Sequence, residues 1–236
     1  MIEKSILSIR NCVDLVIVVV STFDDTKKKY DNEAWNFCQK TNLIDIVLKR
    51  EPVFYKKAQN QIYKRQQGVI EAIKNKCTHF LFIDSDEFYI ESEFLNAKKH
   101  IIQNNIKASV CNIYTYFKEP TLRFKNFDKT CHVPFIHEVN NGHIIGNNER
   151  KYLPYVVDFG RNVNTKTKPV LLDMVNMHHF SWVRKDIMKK VNSHASYDLI
   201  IKNNILEDYK NAKEGYFVHH YQDELIRVDN IFNVNF

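Results

Sequence analysis

Glycine and proline are scarce, with five of each in 236 residues. So few breakers exclude collagen-like, linker-rich and low-complexity chains. Phosphate-cradling loops built on several closely spaced glycines are excluded with them. The nearest pair is Gly142 and Gly146, and no Lys-Ser or Lys-Thr follows it. Long apolar runs are also missing. The longest aliphatic stretch, residues 15–20, falls far short of the roughly 20 residues that a membrane helix needs. The opening residues mix Glu3, Lys4 and Arg10 with Ile2, Ile6, Leu7 and Ile9, which is amphipathic spacing and not the continuous apolar core of a secretory signal. Cysteine is sparse and odd in number, five in all, with no C-x-x-C pair. The expectation is no disulfide framework, no cysteine zinc site, and a reducing, cytoplasmic setting.

The residues that are present suit one compact domain. Apolar residues make up 44% of the chain and aromatics 13%, enough for a sizeable core at a length that single α/β domains commonly reach. The net charge of +6 favours anionic partners such as nucleotide diphosphates, nucleic acid or an acidic membrane face, without choosing among them.

Isoleucines 2, 6 and 9 predict a short opening helix, and the β-branched run at 15–20 predicts a strand buried on both faces. A polar loop from Ser21 then leads to a helix over 28–40, a strand over 43–48 and a long helix over 56–76. Residues 79–83 read as a third strand, 91–104 as a helix and 108–117 as a strand. Strands alternating with helices predict an α/β fold with a mainly parallel central sheet and helices on both faces. Residues 118–167 turn irregular and hold three of the prolines and three of the glycines, the composition of substrate-contacting loops. Helical spacing returns over 183–209, and the tail from Gly215 is aromatic without clear periodicity. No repeat or linker divides the chain, so 1–236 reads as a single domain.

The third strand runs into Asp84, Ser85, Asp86 and Glu87. In an open parallel sheet, ligands bind outside the carboxyl ends of the strands. If the backbone stays extended there, Asp84 and Asp86 point the same way and face one divalent ion. A hard cation held by one or two carboxylates and completed by phosphate oxygens suits a nucleotide diphosphate. The bare triplet is uninformative, because 15 aspartates produce one such pattern about once by chance in a chain of this length. Its place after a five-residue apolar strand and a long helix is what gives it weight.

Several segments, in order, resemble the GT-A glycosyltransferases of the family 2 type. They are Met1 to Ile9, the strand and acidic turn from Val16 to Thr26, the helix segment Tyr63 to Ala72, and His79 to Glu87. Phe135, Ile136, His137 and Glu138 are similar to the His-Glu element of the subgroup whose acidic motif continues into Glu, and Met177 to Arg184 to its histidine segment. The resemblance covers roughly residues 1 to 190. It implies a GT-A fold, with 1–105 as the nucleotide-sugar-binding half and 106–236 as the acceptor-binding and closing half.

It also implies a hexosyl transfer with inversion, from a nucleotide-diphosphate sugar to a hydroxyl of a glycan or glycolipid, with Mn2+ or Mg2+ as cofactor. Carried over, Asp86, Asp84 and His179 are the metal ligands, and Ser21, Asp25, Arg65, Asp84 and Ser85 the donor contacts. Inverting transfer needs a base for the acceptor proton, and the resemblance implies Glu138. The expected partners include no nucleic acid and no transmembrane segment, with peripheral membrane contact left open. Two other readings stand beside this one. A haloacid-dehalogenase-like phosphatase also uses an acidic pair at a strand end, but it wants Thr or Val where Phe88 stands. A basic module binding nucleic acid or another anion would cluster its cations on one face, whereas these are interleaved with acids.

Overall fold

The computed structural model describes residues 1–21, 33–53, 57–139, 151–152, 154–163, 167–193 and 198–235. Six helices are present among them: α1 (Ile2–Ile9), α2 (Glu33–Lys40), α3 (Lys57–Lys74), α4 (Glu91–Gln103), α5 (Ile187–Ser193) and α6 (Leu199–Asn211). The strands are β1 (Ile17–Val20), β2 (Ile46–Lys49), β3 (His79–Phe80), β4 (Glu87–Phe88), β5 (Ala108–Phe117), β6 (Leu122–Phe124), β7 (Val133–Glu138), β8 (Lys151–Tyr152), β9 (Tyr155–Val156), β10 (Val170–Trp182), β11 (Phe217–Val218) and β12 (Asp223–Arg227). A 3-10 turn, Phe159–Arg161, precedes β10.

The sheet is mixed and mostly antiparallel, which corrects the mainly parallel arrangement expected from the sequence. Eight strands join it: β11, β12, β6, β5, β10 and β4 in order, with β7 on β5 and β3 on β7. Within it, β5 and β10 are the parallel pair, and every other pairing is antiparallel. The parallel pair β1 and β2 forms a separate two-stranded sheet. The reason lies in the second half of the chain. Its short strands β6, β7 and β12 add to β5 directly or through one another, and strands of three to six residues are too brief to show period-two alternation in sequence.

The core follows from β5, whose residues are buried almost throughout. One cluster packs Phe94, Ala97 and Ile101 of α4 against Cys111, Phe135 and Leu172. Such a strand, covered on both faces, reads as a continuous apolar run. A second cluster joins Phe117 and Trp182 to Ile205 of α6 and Leu225 of β12. All five cysteines are free thiols, three of them buried, as expected for a chain without a disulfide framework.

Candidate active site

Residues 81–84 leave the ladder after β3, and residues 84–87 form a turn, with the Glu87 N–H donating to the Asp84 carbonyl at 3.1 Å. The Glu87 carboxylate closes this turn by accepting from the Asp84 N–H at 2.8 Å. Ser5 on α1 pins it from outside, donating its hydroxyl to the carbonyls of Glu87 (2.7 Å) and Asp84 (3.3 Å). The extended backbone expected here is therefore absent, and the two aspartates have different partners. Asp84 accepts from Arg65 at 3.2 Å and Arg161 at 2.5 Å. Asp86 accepts from Arg184 at 3.1 Å through Oδ2, while its Oδ1 lies 3.9 Å from His179 Nε2.

Glu87 sits beneath this turn, enclosed, and binds Arg161 through both oxygens at 2.5 and 2.9 Å. One buried guanidinium thus serves two carboxylates in a planar fork, a geometry Arg supplies and Lys does not. Desolvation by the surrounding chain opposes charge on Asp84, whose side chain stays half exposed, but Arg161 and then Arg65 outweigh it and hold the carboxyl well below the usual range. For Glu87, burial dominates and pushes the carboxyl up despite Arg161. The two acids share their cation unequally, and Asp84 is the stronger acid of the pair.

The strand β10 places the histidines. His179 pairs opposite Glu87 and Thr115, and His178 opposite Phe88 and Tyr114, so alternation sends them to opposite faces. His179 faces Asp86. His178 is buried with Nδ1 hydrogen-bonded to the Tyr116 hydroxyl at 2.9 Å.

A cleft of about 430 Å³ opens between β1, α3 and residues 79–85, with Lys64, Arg65, Asp84 and Ser85 among its walls. Ser21, at the end of β1, donates to Glu51 at 2.9 Å. Asp25 lies outside the described residues. Glu138 does not join this group. It ends β7 opposite His79, five residues before Asp84 and roughly 16 Å away along near-extended chain, and it pairs with Lys107 at 2.5 Å.

No protein-family model and no curated protein matches this chain. Among the described residues, no group of three His, Cys, Asp or Glu side chains stands ready to hold a metal. Asp86 Oδ1 and His179 Nε2 lie 3.9 Å apart, wider than the roughly 3 Å between neighbouring ligands of an octahedral ion with bonds of about 2.1 Å, so one ion held by both would draw the two side chains together. Residues 79–87 and 177–184, both singled out in the sequence, do meet, through the pairing of Glu87 with His179.

The sequence does not reveal Arg161, the residue that organises the turn. It lies in the irregular stretch, where only the Asp158 cap on the Gly160 N–H (3.1 Å) hints at local order. An Asp two residues before a Gly marks a turn, but does not say which acid the next residue meets. Among the described residues, no helix is long and apolar enough to cross a membrane.

Proposed function

We propose that this chain is a metal-dependent glycosyltransferase of GT-A type, moving a hexosyl group from a nucleotide-diphosphate sugar to a hydroxyl of a glycan or glycolipid. The observation that carries the reading is the approach of Asp86 and His179 to 3.9 Å beside a cleft walled by Lys64 and Arg65. Asp86 and His179 would hold a divalent ion, Mn2+ or Mg2+, whose positive charge offsets that of the leaving diphosphate.

The chain's own residues do the rest. Arg65 and Arg184 present guanidinium N–H groups to diphosphate oxygens, exchanging a carboxylate partner for a phosphate one. Asp84 and Ser85, on the exposed turn, reach the ribose. Arg161 keeps the turn in shape by binding Glu87 and Asp84 together. The free thiols accord with action in the cytoplasm. Glu138, at the far end of β3, is left out of this mechanism.

The test is calorimetric titration of uridine and guanosine diphosphates with Mn2+ or with a chelator. Metal-dependent binding is expected, weakened at least tenfold, or about 1.4 kcal/mol, in Asp86→Ala and in His179→Ala. Undiminished binding in Asp86→Ala, or no binding of either nucleotide, would sink the reading.

A further inference from the structure

Alternation along β5 puts Cys111, Ile113, Thr115 and Phe117 on one face of the sheet. Cys111 and Ile113 join the apolar cluster under α4, and Phe117 joins the one under α6. Thr115 falls between them, a hydroxyl in an otherwise apolar row of side chains. A cavity of about 270 Å³ opens on it. In the ladder Thr115 pairs with His179 of β10, which pairs in turn with Glu87, so these three side chains leave the sheet on the same face. Neighbouring strands lie about 4.8 Å apart. The cavity floor is therefore one strand away from the histidine that meets Asp86.

The segment after β6 walls this cavity and is tied down on both sides. The Lys125 N–H donates to the Glu224 carbonyl at 2.9 Å, and Asn126 gives its main-chain and side-chain N–H groups to the Asp223 carboxylate at 3.0 and 2.9 Å. The Asp128 N–H returns to β5, donating to the Ile113 carbonyl at 2.9 Å. Fixing of this kind preforms a pocket. Phe127 is 43% exposed in its wall, steadied by the Tyr114 ring at a centroid distance of 5.8 Å. Phe124 leans on Tyr221 at 4.7 Å. Asp128 accepts from the N–H and hydroxyl of Thr130 at 2.8 and 2.6 Å, both through Oδ1, which leaves Oδ2 without a hydrogen-bond partner among the described residues.

The structure assigns this cavity to one neutral pyranose ring, the terminal sugar of the acceptor, touched by Thr115, Phe127 and Asp128; the acceptor role rests on the glycosyl-transfer reading above. A pyranose offers an apolar C–H face to an aromatic ring, whose own face is negative. Its hydroxyls donate and accept, as carboxylate, amide and hydroxyl partners require. The volume lies just below the usual range of ligand pockets, about 300–1,000 Å³, which suits a single ring and not a run of several. Two carboxylates, Asp128 and Asp223, against one lysine, Lys129, disfavour an anionic ring. The shared row with His179 is what marks an acceptor site.

The test follows backbone amide signals of the 236-residue chain by NMR as methyl β-glucoside, methyl β-galactoside, N-acetylglucosamine or glucuronate is added, with and without Mn2+ and a nucleoside diphosphate. At least one neutral sugar is expected to shift Thr115, Asn126 and Gln222 with a dissociation constant on the order of 1 mM, and glucuronate to bind at least about fivefold more weakly. Phe127→Ala and Asp128→Asn are each expected to weaken the neutral sugar by at least about fivefold. Silent amides with all three neutral sugars, in a chain that binds nucleotide diphosphate, would overturn this inference and leave the transfer reading standing. So would shifts that persist undiminished in both variants. Sugar binding in a chain that binds no nucleotide diphosphate would instead remove the acceptor role together with that reading.

Discussion

Adjacent residues of an extended strand point to opposite faces, and on β10 this sends His179 toward Asp86 and His178 toward the hydroxyl of Tyr116. His178 is packed among Tyr114, Tyr116 and Phe232. Burial, with Arg123 of β6 nearby, pushes its pKa down to about 4. The folded chain therefore keeps this imidazole neutral where the unfolded chain, titrating near 6.5, takes up a proton. Stability then falls as pH drops from about 6.5 to about 4, by roughly 3 kcal/mol in all, and levels off below. Urea midpoints measured across that window are expected to decline in the parent and to flatten in His178→Gln. An equally steep decline in the variant would show that other groups carry the acid sensitivity.

At the scale of elements, helices whose apolar face repeats at 3.6 residues are legible in the sequence itself. Isoleucines 2, 6 and 9 mark α1, and residues 91–104 match α4 within a residue. The helical spacing over 183–209 does not show the break that separates α5 from α6. Asp198 marks where α6 starts, its carboxylate accepting from the Ile201 N–H at 2.8 Å. Removing that cap in Asp198→Ala is expected to cost about 1 kcal/mol, with Asp198→Ser recovering most of it, read as a shift in urea midpoint. An unchanged midpoint would mean that packing of Ile205 alone fixes the helix. The longest strand, β10, is not legible in the same way, because Asp173, Asn176, His178 and His179 interrupt its apolar run. Its partners β5 and β4 bury it, and pairing over 13 residues with irregular register leaves no simple period to detect.

For the molecule as a whole, β5 is the common support, bonded to β6, β7 and β10 and contributing residues to all four core clusters. The β1–β2 pair has no such anchorage, and a two-stranded ribbon is marginal by itself. Amides of Val18 and Val20 are thus expected to exchange at least tenfold faster than those of Cys111 and Ile113, by mass spectrometry of exchanging peptides. Equal protection would show that α3 and α1 bind the pair into the same cooperative unit. The sequence by itself determined α1, α3 and α4, the apolar strand at 108–117 and the run of acids after β3, because each depends on periodicity or on residues close in the chain. Tertiary structure alone decided the antiparallel build of the sheet, the arginine that each carboxylate meets and the placing of Glu138 opposite the amino end of β3. Those outcomes depend on which edges are free to pair and which charges share an enclosed volume, and contacts between Arg161 and acids more than seventy residues away leave no trace in local spacing.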